Sequence, residues 1–150
     1  MRYDEWLKKV PDFITSDRLW SVKAYRLALY LGDVAWQDAS KAEKDVRTKG
    51  IAGQLYRAVG SIGANIAEGY SRSSSRDKAR FYEYALGSAR EARDWYYKAK
   101  YVIGHEETEK RLRILAEIMR LLIAMILQQR GSREIRELSA EYHIEATDAE

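Results

Sequence analysis

Lys49-Gly-Ile-Ala-Gly-Gln-Leu-Tyr-Arg-Ala-Val-Gly-Ser-Ile-Gly-Ala-Asn-Ile-Ala-Glu-Gly69 reads as one long helix. At about 100° of rotation per residue its side chains sort into three stripes. Ile51, Leu55, Ala58, Ile62 and Ile66 form an apolar stripe. Gly53, Gly60, Gly63, Ala64 and Ala67 form a small-residue stripe beside it. Gln54, Arg57, Ser61, Asn65 and Glu68, continued by Arg72, form a narrow polar one. A glycine inside a helix costs up to about 1 kcal/mol against alanine. Several in one helix call for compensation by close packing. Gly60, Gly63, Ala64 and Ala67, with Gly87 further on, are therefore expected to be close-packing positions. The helix is expected to be covered on more than one side, by its own bundle and by a neighbouring subunit.

Helical periodicity extends outward from this stretch. On the N-terminal side, Trp20, Ala24, Leu27, Leu31 and Val34 share a face of a first long helix, predicted to start at Ser16 or Asp17 with Ser16 as cap. A short lead helix over residues 4–10 should be capped by Asp4 and ended by Pro11. On the C-terminal side, Gly69 ends the helix, and Ser71-Arg-Ser-Ser-Ser-Arg76 makes a polar, basic loop. Ser74 and Asp77 resemble a capping box. A third helix is predicted to run to Ile103, burying Phe81, Tyr84, Ala85, Ser88, Ala92, Trp95, Ala99 and Val102, with Gly104 as its stop. A fourth spans about 106–130. It has two apolar seams: Leu112, Leu115, Met119, Leu122 and Ile126, and Ile114, Ile118, Leu121 and Met125. Two seams exceed what one side of a small bundle needs, a second hint of subunit contact. Ser132 should cap a last short helix ending near Glu141, followed by an acidic end. The division is thus a lead segment 1–15, a bundle 16–131 and a tail 132–150.

The chain has 150 residues, a net charge of +3, one proline and no cysteine. Without cysteine there is no disulfide scaffold, zinc–thiolate site, iron–sulfur cluster or thiol catalysis. The N-terminus carries charges where the apolar run of a secretory signal would sit, so a cytoplasmic location is expected. The longest apolar run, Ile114 to Leu127, is 14 residues and contains Glu117 and Arg120. A membrane span needs roughly 20. The charge is uneven: residues 132–150 hold two arginines against six acids, and residues 70–101 hold eight bases against four acids.

Little here suggests catalysis. The two histidines, His105 and His143, lie in different elements, no His-x-x-x-His or Glu-x-x-His pair occurs, and no metal or cofactor is expected. No serine is paired with a base. Glu68 and Glu91 could approach one another, but Arg57 or Arg72 are the better partners for a carboxylate. Gly60-Ser-Ile-Gly63 has no strand before it and matches no phosphate-binding loop. Nucleic acid is the sharper candidate. Arg72, Arg76, Arg80, Arg90, Arg93 and Lys98 would contact phosphates, and Tyr97 and Tyr101 would stack on unpaired bases. Glu83 and Asp94 share that surface, so a solvated, self-neutralised face is the plainer alternative. The stripe Arg57, Ser61, Asn65 and Glu68 is open to three readings: a recognition strip, a polar seam fixing register, or a wet face.

Gln54-Leu-Tyr-Arg-Ala-Val-Gly-Ser-Ile-Gly-Ala-Asn-Ile-Ala-Glu-Gly69, followed by Arg72, Ser75, Phe81, Ala85-Leu-Gly-Ser88 and Glu91, resembles the signature of the bacterial four-helix-bundle proteins known as rRNA intervening-sequence proteins. The resemblance covers about residues 17–130. It implies an all-α, antiparallel up-and-down four-helix bundle assembled into a homo-oligomeric, typically pentameric, ring. It places the family motif on Arg57, Ser61, Asn65, Glu68, Gly69, Arg72, Gly87, Ser88 and Glu91, none of them catalytic. A distant branch, the accessory proteins of diversity-generating retroelements, binds a reverse transcriptase and nucleic acid. Many members have proline where this chain has Gly63, and residues 1–15 and 132–150 lie outside the resemblance. The expected function is a non-enzymatic oligomer whose partners are its own copies and RNA or a nucleic-acid enzyme such as a reverse transcriptase, with no membrane. The alternative is a protein–protein scaffold.

Overall fold

The computed structural model describes residues 1–131. Among them are seven α-helices, one 3-10 turn and no strand. The expected tail helix and acidic end lie outside the described residues. Helices α1 (Tyr3–Leu7) and α2 (Asp12–Thr15) and the 3-10 turn Arg18–Ser21 lead into four long elements. These are α3 (Lys23–Glu43), α4 (Lys49–Tyr70), α5 (Ser75–Lys98) and α7 (His105–Gln129), with the one-turn α6 (Lys100–Ile103) before the last. The long helices run antiparallel through short connections. The packed pairs are α3 with α4, α4 with α5, α5 with α7, and more lightly α7 with α3. One core results, in which Leu31, Leu55, Ile62, Ile66, Leu86, Leu115, Ile118, Leu122 and Ile126 are fully buried. No helix among the described residues is long and apolar enough to cross a membrane.

The first long helix starts later than its pattern predicts. Asp17, rather than Ser16, is the cap, and it accepts from the Leu19 N–H at 2.8 Å to open the 3-10 turn. The Trp20 carbonyl, which a continuous helix would offer to Ala24, accepts from Arg26 Nη1 at 2.6 Å instead. Val22 is extended, and α3 begins at Lys23. The lead helix also differs: Arg2 sits at its N-cap and Asp4 within it. Pro11 caps α2, where its fixed φ suits the position. The segment is bound to the bundle through Trp6, whose Nε1 donates to Asp33 Oδ2 at 2.6 Å. The Trp6 ring packs with Tyr3, Trp20 and Tyr30, and the Tyr30 hydroxyl donates to the Met1 carbonyl at 2.7 Å.

The α3–α4 turn closes where the buried Thr48 hydroxyl donates to the Ala42 carbonyl at 2.7 Å. Ser74 caps α5 as expected, accepting from the Asp77 N–H at 3.1 Å. The third helix does not run unbroken to Ile103. It ends at Ala99, and α6 turns the corner into Gly104, whose φ of 100° favours glycine. Its buried face is also rotated from the expected one. Ala79, Tyr82, Ala85, Leu86, Ala89, Ala92 and Tyr96 are inside, while Tyr84 is exposed and Phe81, Ser88 and Trp95 are half-buried. The short alanines let neighbouring helices approach, and the larger rings lie along the flanks.

Close packing on α4 is likewise displaced. A Cβ at Gly63 would meet Ala28, Leu29 and Tyr25 at ordinary contact distance, 3.7–3.9 Å. Gly60 and Gly87 would meet nothing within 4 Å, Ala64 is exposed and Ala67 half-buried. The tight approach is at Gly69, where a Cβ would lie 2.7 Å from the buried Tyr82 ring.

Near the Thr48 end the core contains charge. Asp38 is 1 % exposed. Its Oδ2 accepts from Tyr96 OH at 2.9 Å and from Arg111 Nε at 2.7 Å, and Arg111 Nη2 also reaches Glu107 at 3.1 Å. Burial opposes the Arg111 charge, yet its pKa ends above the ordinary value because the hydrogen bond and charge of Asp38, joined by Tyr96 and Glu107, outweigh it. Burial, then the Asp38 charge, push the Tyr96 phenol well above 10.0.

Three outcomes follow from this packing. Asp38→Ala leaves a buried guanidinium short of its partner and should lower stability by about 3 kcal/mol in urea unfolding, whereas Asp38→Leu with Arg111→Met should recover most of the loss. A raised folded-state Tyr96 pKa gives stability that is complete below the unfolded value of 10.0 and is lost as pH climbs above it. Tyr96→Phe should therefore flatten the fall of Tm above pH 10. Gly69→Ala should cost about 1–3 kcal/mol by displacing Tyr82, while Gly60→Ala in the single chain should stabilise by up to about 1 kcal/mol.

Candidate functional site

The residues expected to meet nucleic acid spread along α5 and its flanks. Arg72 lies in the loop before it, Arg76 and Arg80 in its first turns, Arg90 and Arg93 in its middle, Tyr97 and Lys98 at its end and Tyr101 in α6. At 1.5 Å per residue, Arg76 and Lys98 are about 33 Å apart. At 100° per residue, Arg76, Arg80, Arg90 and Lys98 fall within about 40° of one line, with Arg93 about 100° away. Glu83 and Asp94 lie on the same line. The expected strip is thus interrupted by acids, and much of it is paired. Arg72 holds Glu68 at 2.8 Å, Arg80 holds Asp77 at 3.5 Å and Lys98 holds Asp94 at 2.6 Å. Arg90 is half-buried, while Arg76 and Arg93 are exposed.

Two cation–aromatic clusters emerge, one at each end of α5. At the loop end, the guanidinium carbons of Arg72 and Arg80 lie 4.7 and 5.5 Å from the Phe81 ring centre, and Tyr84 meets Phe81 edge-on at 5.6 Å. At the corner end, Lys98 lies 4.8 Å from the Trp95 ring. Lys100 Nζ sits 3.8 Å from the Tyr97 ring centre and 4.6 Å from that of Tyr101. Tyr97 is 59 % exposed and Tyr101 79 %. Tyr82, on the same helix, is in the core. Lys100 belongs to the basic set of the third helix, three residues after Tyr97 and beside Tyr101, but was not among the residues expected to contact phosphates.

The corner cluster faces the α3–α4 turn across a cleft of ≈ 390 Å³ lined by Asp45, Arg47, Thr48, Ile51, Lys98, Tyr101 and Val102. Asp45 grips the Arg47 side chain with both oxygens, at 3.0 and 2.8 Å, and accepts the Arg47 N–H at 2.9 Å. These bonds bring the Asp45 carboxyl down to about 2. Neither residue was anticipated.

The remaining motif residues form no reactive constellation. The Ser61 hydroxyl donates to the Arg57 carbonyl at 2.9 Å and the Ser88 hydroxyl to the Tyr84 carbonyl at 3.1 Å. Asn65 Nδ2 donates to the Ser61 carbonyl at 2.9 Å, and Arg57 Nη1 donates to Gln54 Oε1 at 3.4 Å. The α4 polar stripe is therefore bonded along its own helix rather than across to another. Glu68 pairs with Arg72 as expected, and Glu91 accepts from Trp95 Nε1 at 3.2 Å. Among the described residues, no three His, Asp or Glu side chains gather as a metal site.

Among curated proteins none matches the chain. One similar solved structure is the 1.70 Å crystal structure of a protein with unknown function from the S23 ribosomal protein family of Bacteroides thetaiotaomicron VPI-5482. It is 25 % identical, has a TM-score of 0.64, and aligns over 69 % of this chain and 97 % of that one. The family model for the 23S rRNA-intervening sequence protein matches residues 21–124, which takes in α3, α4, α5 and most of α7. With well over half the chain matched and the signature residues of α4 and α5 in place, the chain belongs to the 23S rRNA-intervening sequence protein family.

Proposed function

We propose that the protein is a non-enzymatic, ring-forming helical bundle, with five copies as the favoured number, that binds single-stranded RNA in the cytoplasm through the two ends of α5. The observation that carries the RNA reading is the pair of cation–aromatic clusters, above all Lys100 against the exposed rings of Tyr97 and Tyr101. Cations beside accessible rings hold phosphates and stack unpaired bases together. The ion pairs of Arg72, Arg80 and Lys98 do not oppose this. Exposed pairs contribute at most about 1 kcal/mol, so a phosphate can replace a carboxylate.

Ring formation is supported by the outer stripe of α4. Gly53, Tyr56, Gly60 and Ala64 are exposed at helical spacing, and Tyr56 packs edge-on against Trp36, which is itself 64 % exposed. Glycines bare on the surface of one copy are explained if a second copy lies close to them. The same stripe favours the second reading, a protein–protein scaffold, in which Trp36 and Tyr56 anchor a different partner.

Native mass spectrometry of the full chain, with and without a single-stranded oligoribonucleotide, tests both parts. The expected result is a species of five 17.4 kDa copies that retains RNA. Affinity should fall with salt at a log–log slope of about −0.7 per phosphate contacted, and Arg76→Ala with Arg80→Ala should make that slope shallower. A single 17.4 kDa particle at micromolar concentration defeats the ring. No RNA retained at low salt defeats the RNA reading, and a protein partner that survives nuclease and high salt establishes the scaffold.

A further inference from the structure

The cleft between the α3–α4 turn and the α5–α6 corner has a composition the RNA reading does not by itself require. Arg47 lines it, its side chain 83 % exposed and its guanidinium bonded to the two oxygens of Asp45 at 3.0 and 2.8 Å. The lining also holds an aromatic ring: Tyr101, met edge-on by His105 at 5.6 Å and covered by Lys100 at 4.6 Å. Tyr101 lines the cleft and Lys100 does not. Ile51 and Val102 add apolar surface to the lining, and Lys98 adds a second cation. The Thr48 hydroxyl is already engaged with Ala42 and offers no hydrogen to a ligand.

We infer that this cleft is a nucleotide pocket, with the flat base held between the Tyr101 ring and the Arg47 guanidinium and its phosphate taken by Lys98. Aromatic rings and guanidinium planes are the two surfaces on which unpaired bases stack. A volume of ≈ 390 Å³ lies at the small end of small-molecule sites, which suits one nucleotide and not a duplex. Asp45 is a positioning residue. As a carboxylate it keeps the guanidinium plane in place, and its low pKa keeps it charged at every physiological pH. Lys98 exchanges the exposed Asp94 carboxylate for a phosphate oxygen, a swap of one anion for another. The occupant is an unpaired nucleotide within the single-stranded RNA proposed above, and the inference rests on that reading. A free mononucleotide carries the same chemistry.

The test uses the full chain, a fluorescein-labelled single-stranded uridine decamer read by anisotropy, and AMP titrated by NMR. Tyr101→Ala and Arg47→Ala should each weaken decamer binding about tenfold, the usual scale for losing one base stack. Tyr101→Phe should bind as the native chain does. Asp45→Asn should give a smaller loss than Arg47→Ala. Phe13→Ala, at a ring 97 % exposed on α2, should change nothing. Competition between AMP and the decamer, with AMP shifting the Tyr101 ring resonances, would show that the pocket takes a nucleotide from either source. Native-strength decamer binding by both Tyr101→Ala and Arg47→Ala overturns the pocket and leaves RNA binding elsewhere on the surface. If the native chain binds AMP in a Tyr101-dependent way but no decamer, the pocket stands and the RNA reading falls. If it binds neither at low salt, both fall.

Discussion

A single buried carboxylate sets the relation of three of the four long helices. Asp38 of α3 has no access to water, so it must find its partners in the protein, and it finds them on α5 (Tyr96) and α7 (Arg111). Short hydrogen bonds to one carboxyl group leave little room for any of the three helices to turn or slide. Buried ion pairs are weak sources of net stability, but an unmatched charge in the interior is costly. Alternative registers are therefore penalised more than the native one is rewarded. The fourth helix, α4, is held by fit: a stripe of Leu55, Ile62 and Ile66 against the core, and a backbone at Gly69 close enough to touch Tyr82. Register at this end of the bundle also fixes where the Asp45–Thr48 turn stands relative to the Ala99–Gly104 corner.

The four-helix layout was legible because each long helix carries an apolar stripe at regular spacing, and α4 shows this most plainly. The Asp38 cluster was missed for the same reason. A reading that sorts residues by polarity sends Asp38 and Arg111 to the surface, although Asp38 continues the series Ala24, Leu31 and Ala35, and Arg111 lies between Thr108 and Leu115. The signal was position, outvoted by side-chain type. On α5 the error has the opposite origin. Phe81, Tyr84 and Trp95 dominate a hydrophobicity count, while the buried face is built on alanines that contribute little to it.

The surface residues divide similarly. The cations of α5 were visible in sequence, but their partners were not all at helical spacing. Lys100 meets Tyr97 at helical spacing and Tyr101 in the new turn that begins where α5 stops at Ala99, a break that nothing in the local composition marks. Arg47 and Lys98 are far apart in the chain and meet across one cleft only because the first pair of long helices and the second end at the same level. A basic stretch along one helix has in this way become two separate clusters, each combining charge with aromatic surface.

The matched family region starts at residue 21, yet the folded body of this chain starts earlier. Trp6 is buried against α3, and its indole nitrogen is bonded to Asp33. Cutting the chain at the family boundary would remove the lid from Tyr30 and hand the Asp33 carboxylate, already exposed, to water. A shortened version prepared for biochemistry would thus carry a sticky, freshly uncovered patch. Association seen in such a preparation would report on the missing peptide rather than on the intact chain.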